Sequence, residues 1–279
     1  MKKEKAKRFL YGICEWSLRV RGNALIKLAA AKNLDCVQLG VGAEVFSGRG
    51  LGNPAMIGEY QKAGEEYGII VHSLSPQFVD QYSFTMPQST QEEQTAAALV
   101  EKTIELSESF GCRSFLLPVL CKNDIRDGTS FHRAVEYIKR FSHMAAEKGI
   151  ETYLEVNQSA EQVHNLLDAV DNPMVKLFFD SQNLYAYDGT SMARYFKELE
   201  PLIGGVHLKD GIGGMLSGSL LGEGTSGFYK TAQAILESSY SGCLIIESVY
   251  DKPTVCTMGP EAELLGRDAA ALHRIFDKA

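Results

Sequence analysis

No apolar run in this 279-residue sequence approaches membrane-spanning length, so no segment is expected to cross a bilayer. No long basic block follows the first eight residues, and no basic patch is interleaved with aromatics. With a formal net charge of −7, the surface is not one that neutralises phosphate backbones, and nucleic acid is not an expected partner. The six cysteines, Cys14, Cys36, Cys112, Cys121, Cys243 and Cys256, include no Cys-x-x-Cys pair. Several lie beside strand-like runs, where a thiol serves as a small hydrophobe, and this usage suits a reducing cytoplasm. The stretch 9–14 after the basic start is too short, before Glu15 interrupts it, to be the core of a signal peptide.

What is present is enough apolar residue, 45%, to build one large core, and a length within the usual range of an eight-stranded α/β barrel. A single domain over 1–279 is the natural expectation. Four short apolar runs in the second half each end on one metal-binding side chain: Tyr153-Leu154-Glu155, Leu177-Phe178-Phe179-Asp180, Gly205-Val206-His207 and Leu244-Ile245-Ile246-Glu247. Strands of a parallel sheet are buried on both faces and read as continuous apolar runs, so function collects at their C-terminal ends. Any strand must end, and one polar exit residue means nothing. Four drawn only from Glu, Asp and His point to a site for a hard or borderline divalent ion, Mn²⁺, Mg²⁺, Co²⁺ or Zn²⁺.

The chain repeats a unit of helix, glycine and strand. Gly68, Gly111 and Gly149 each follow a helical pattern and precede a strand-like run, where a left-handed glycine closes the last helical turn. Ser89-Thr90-Gln91-Glu92 and Ser159-Ala160-Glu161-Gln162 match the capping box, and Gly259-Pro260-Glu261 places proline at a helix start. Eight strands are expected near 11–15, 36–39, 69–73, 114–117, 152–156, 175–180, 205–208 and 243–247, with helices between them. Such alternation implies a parallel sheet, closed or doubly wound. Only a closed (β/α)8 TIM barrel brings all strand ends to one mouth, so that Glu155, Asp180, His207 and Glu247 meet around a single ion.

Val206-His207-Leu208-Lys209-Asp210, Leu221-Gly222-Glu223-Gly224, Phe179-Asp180-Ser181-Gln182-Asn183, Leu154-Glu155-Val156-Asn157 and Ile246-Glu247-Ser248 together resemble the motifs of the xylose isomerase-like barrels. That group includes ketose 3-epimerases, hydroxypyruvate isomerase, inosose dehydratase and apurinic endonucleases. The resemblance implies one divalent ion, Mn²⁺ first, on Glu155, Asp180, His207 and Glu247, with Glu155 and Glu247 also serving as the acid/base pair. It implies a small-molecule sugar or sugar phosphate substrate and favours a homodimer or homotetramer. An enediolate formed by proton abstraction next to a carbonyl is the matching chemistry, since a cation stabilises the developing charge.

Two departures from the ketose 3-epimerase pattern bear on substrate. Asn183 stands where a histidine is usual, and Gly211-Ile212-Gly213-Gly214 stands where an arginine is common. Further substrate-binding candidates are Glu161, which matches a substrate-contacting glutamate or simply favours a helix first turn; Trp16, the one tryptophan; His72, inside the third strand; and Lys209. Glu223 is a candidate for orienting its neighbours. The glycine- and serine-rich run 213–219 lies where barrels often bind phosphate, but it contains no arginine. The leading expectation is therefore a metal-dependent isomerase or epimerase. The alternatives are an inosose dehydratase-like lyase, an apurinic endonuclease-like phosphodiesterase, disfavoured by only six histidines, and a non-catalytic sugar-binding barrel.

Overall fold

The structure is a computed structural model describing residues 7–78, 81–85 and 90–277. The first six residues of the basic start, and Ser89 of the first capping-box expectation, lie outside the described residues. Eight strands form the sheet: β1 Phe9–Cys14, β2 Cys36–Val41, β3 Ile70–Pro76, β4 Ser114–Val119, β5 Glu151–Val156, β6 Val175–Asp180, β7 Ile203–Leu208 and β8 Gly242–Ile246. The helices are α1 Gly22–Ala31, α2 Pro54–Tyr67, α3 Gln91–Ser109, α4 Gly128–Ala146, α5 Ala160–Val170, α6 Asn183–Asp188, α7 Met192–Leu199, α8 Phe228–Glu237, α9 Pro253–Cys256 and α10 Glu261–Phe276. All eight expected strands are present, within a few residues at each end.

Every bonded strand pair is parallel, in the order β3-β2-β1-β8-β7-β6-β5-β4. β3 and β4 lie against each other but are not joined by a ladder, so one seam interrupts an otherwise closed TIM barrel. Helices cover the outer face, as parallel strands require.

Period-two alternation sorts the side chains. On β6, Leu177 and Phe179 join the large core between barrel and helices, while Phe178 faces inward; on β8, Leu244 and Ile246 go outward and Cys243 and Ile245 inward. The inner set, Cys14, Leu116, Tyr153, Phe178, Cys243 and Ile245, makes an apolar floor, with Trp16 packed on it. Gly205 makes room for that floor: a Cβ there would come within 2.6 Å of the Phe178 ring. Among the described residues the six cysteines are free, four of them buried.

The helix-end expectations are met by specific bonds. Gly68, Gly111 and Gly149 take φ of 69°, 68° and 71°, and behind them Ile69 N donates to the Gly64 carbonyl and Ile150 N to the Ala145 carbonyl. Ser159 and Gln162 form the reciprocal capping box of α5. α3 instead starts from Thr90, whose hydroxyl accepts from Glu93 N, and Pro260 stands just before α10 rather than inside its first turn. No helix among the described residues is long and apolar enough to cross a membrane.

Because the Phe178 ring occupies the space above Gly205, Gly205→Ala overpacks the floor. Urea titration should show a loss of about 1–3 kcal/mol in unfolding free energy. An unchanged midpoint would mean that the ring can step aside freely.

Candidate metal centre

Each strand end aims its side chain inward by the same parity that builds the floor. Asp180 and His207 are direct neighbours across β6 and β7, and Glu247 sits one residue past β8, its N–H bonded to the Leu208 carbonyl. Glu155 ends the inward row of β5, two residues after Tyr153. Ligand atoms of Glu155, Asp180, His207 and Glu247 all lie within 4.8 Å of one another, and their residues are largely buried.

Protein partners fix the orientation of each group. Asp180 Oδ1 accepts from the N–H groups of Gln182 (2.7 Å) and Asn183 (2.6 Å) at the start of α6, which turns Oδ2 toward the cluster. Asn183 Nδ2 donates to Glu155 Oε1 at 2.8 Å. Glu247 accepts from Trp16 Nε1 at 2.9 Å on one oxygen and from Lys209 Nζ at 2.5 Å on the other. His207 turns Nδ1 toward Glu155 and Glu247, at 3.7 and 3.6 Å.

Lys209 is the cation of the cluster, with Nζ 3.0 Å from Asp180 Oδ2 as well. Burial alone would make its ammonium easier to deprotonate, but the surrounding carboxylates reverse that and hold the proton firmly. Burial likewise raises Glu247, yet Lys209, His207 and the two hydrogen bonds outweigh it and bring the group down to about 2. Asp180 goes the other way: burial and the neighbouring carboxylates prevail over Lys209, to about 6. His207 resists burial because Glu247 and Glu155 favour its charged form, and its pKa is raised.

These residues fit a divalent ion on three counts. His207 Nδ1 is buried and has no hydrogen-bond partner, an expensive arrangement that a ligated cation would relieve, and Asp180 Oδ2 has only its ion pair with Lys209. Three carboxylates against the Lys209 ammonium leave a net negative charge in a buried space even when His207 is protonated. Carboxylate oxygens and one imidazole nitrogen are the donors that Mn²⁺, Mg²⁺, Co²⁺ and Zn²⁺ take.

Residues 26–275 match the family described as Xylose isomerase-like TIM barrel. The chain belongs to this family. Among xylose isomerase-like relatives, a 2-epi-5-epi-valiolone 7-phosphate 2-epimerase from Actinoplanes sp. is 28% identical over 243 residues, covering 86% of this chain and 87% of that protein. Two solved structures share the fold: D-allulose 3-epimerase from Methylomonas sp. in complex with D-allulose, with a TM-score of 0.75, 18% identity and coverage of 97% and 98% of the two chains; and the probable 3-DHS dehydratase AsbF from Bacillus anthracis, with a TM-score of 0.72, 14% identity and coverage of 94% and 98%.

Of the other candidates read from the sequence, Asn183, Trp16 and Lys209 join the cluster, and the Trp16 ring meets His207 edge-on with centroids 6.1 Å apart. Glu161 is exposed in the first turn of α5 and His72 occupies a bulge between β2 and β3, bonded to Ser73; neither joins the four. His72 also lines a large cavity at the N-terminal ends of the strands. Glu223 points away to Arg267, at 2.8 Å. In the xylose isomerase-like motif it is Asp210 that organises the loop, accepting from the N–H groups of Gly211, Gly222, Gly224 and Ser226 and from the Ser226 hydroxyl. The 213–219 loop spends Ser217 on Gln182 and on the Glu247 carbonyl.

Beyond Trp16 opens a cavity of about 460 Å³, a size that suits a sugar, lined by Glu15, Arg21, Gly40, Glu44, Tyr60 and Gln77 among others. Glu15 was not singled out from the sequence although β1 leads straight into it. It is buried and accepts from the Tyr60 hydroxyl and from Gly40 N.

Removing Lys209 should leave Asp180 and Glu247 uncompensated. Lys209→Met is expected to lose about 3–5 kcal/mol of stability in the metal-free protein. Added Mn²⁺ should then raise its melting temperature more than it raises the wild type's, because the ion supplies the missing charge. Equal melting of the two metal-free proteins would show that the ammonium does not neutralise this cluster.

Proposed function

We propose that the protein is a divalent-metal-dependent epimerase or isomerase acting on a sugar, free or phosphorylated, by proton abstraction next to a carbonyl. The observation that carries this reading is the convergence of Glu155, Asp180, His207 and Glu247 beside a sugar-sized cavity. The Actinoplanes relative, named for 2-epimerising 2-epi-5-epi-valiolone 7-phosphate, supports the same reaction class. A buried polar cluster kept only for structure would be more stable if replaced by apolar packing.

Glu155, Asp180, His207 and Glu247 would hold the ion. Bound there, it supplies Lewis-acid stabilisation of the negative charge that develops on substrate oxygens. Lys209 and the Trp16 indole N–H keep Glu247 ionised, which is the state in which a base must begin. Glu155, oriented by Asn183, is its counterpart on the other side of the site. One carboxylate takes the proton from the carbon next to the carbonyl and the other returns a proton to the opposite face; isomerisation instead delivers it to the neighbouring carbon. The Trp16 ring, edge-on to His207, lines the neighbouring cavity and would offer an apolar face to a sugar there.

Glu155→Gln and Glu247→Gln should each lower kcat by about 10²–10⁴-fold, with circular dichroism unchanged. The assay screens ketoses, ketose phosphates and inososes in heavy water with Mn²⁺. Deuterium should enter next to the carbonyl in the wild type and not in the variants. Full activity of both variants on a turned-over sugar would rule out the acid/base assignment, and a product lighter by one water would move the reaction to the lyase class.

A further inference from the structure

Gln38 is fully buried in the middle of β2, in an otherwise apolar run, and its side chain points into the barrel beneath the metal centre. Its Oε1 lies 2.7 Å from His207 Nε2 and 3.3 Å from the Cys14 thiol, which donates to it. Its Nε2 donates to Ser73 Oγ at 2.9 Å, and Ser73 Oγ lies 3.0 Å from His72 Nδ1. A side-chain amide oxygen only accepts and the amide nitrogen only donates. With the amide nitrogen on Ser73, the serine keeps its own proton to give to His72, and His207 must carry a proton on Nε2. The chain then runs in one direction, from His207 through Gln38 and Ser73 to His72.

The reverse polarity would place a proton on His207 Nδ1. That atom is buried and makes no hydrogen bond, its nearest acceptors, on Glu247 and Glu155, standing 3.6 and 3.7 Å away. The bulge between β2 and β3 at Val37/Gln38 shifts the register so that Gln38 pairs with Ser73, and it leaves His72 beside them. Burial and the nearby His207 push His72 down to about 4, so it is neutral and able to accept.

We infer that Gln38 is a positioning residue: held by Ser73 and His72, it fixes the Nε2–H form of His207 and so presents the bare Nδ1 to a divalent ion. The inference rests on the metal reading of the site but concerns residues that bind neither ion nor sugar. Partners of this kind, which orient a metal-binding histidine through its other nitrogen, commonly change affinity by about 10–100-fold.

The test uses the full chain and two variants. Gln38→Met keeps the volume and removes the acceptor, whereas Gln38→Glu keeps an acceptor. Calorimetric titration with Mn²⁺ should show binding weakened about 10–100-fold in Gln38→Met and largely restored in Gln38→Glu. Nitrogen-15 spectra of metal-free, histidine-labelled protein should show a hydrogen-bonded proton on His207 Nε2 in the wild type, lost to rapid exchange in Gln38→Met. An unprotonated Nε2 in the wild type, or equal Mn²⁺ affinity in wild type and Gln38→Met, overturns the assignment. A wild type that takes up no divalent ion defeats the metal reading instead, and the Nε2 spectrum still decides what Gln38 does. Circular dichroism guards against loss of fold, and the Gln38→Glu protein separates acceptor loss from damaged packing.

Discussion

Three carboxylates share one interior with a single ammonium, and the site is organised around that imbalance. Lys209 can sit within reach of only two of them, Asp180 and Glu247. Glu155 is left to an amide hydrogen bond from Asn183. The opposed shifts of Glu247, down, and Asp180, up, are two faces of the same shortage of positive charge. Concentrating like charge in a low-dielectric space costs several kcal/mol, and a fold retains such a cluster when something else must bind there.

Strand parity converts that demand into architecture. A residue two positions beyond an inward floor residue also faces inward, so Tyr153 announces Glu155, Phe178 announces Asp180 and Ile245 announces Glu247. The apolar floor and the charged mouth are successive layers of the same strands. Gly205, Phe178 and His207 show how tightly they are coupled: the glycine admits the ring, and the ring lies 4.3 Å from the imidazole.

Much of this was legible in the sequence because it was periodic or chemical. The eight strands, the glycine stops at Gly68, Gly111 and Gly149, and the convergence of four acidic or imidazole strand ends follow from apolar runs with punctuation. Gln38 escaped notice because an isolated amide says nothing of its partners; the signal was a polar residue inside a run otherwise fit for a buried strand. The bulge that pairs Gln38 with Ser73 is a register shift without a sequence mark. Glu15 was missed because it follows the inward Cys14, so parity turns it from the cluster toward Tyr60 and Gly40. Glu223, read as part of a motif, proved to be the exposed neighbour of a backbone turn that Asp210 holds.

The residues lining the 460 Å³ cavity fall between Glu15 and Gln81, whereas the four convergent donors fall between Glu155 and Glu247. The lining of the cavity and the convergent donors are thus encoded in separate lengths of the chain. Drift in the first third can reshape the cavity while the four donors of the second half stay in place. A barrel divided in this way can change the shape of its cavity without disturbing the charged cluster at its mouth.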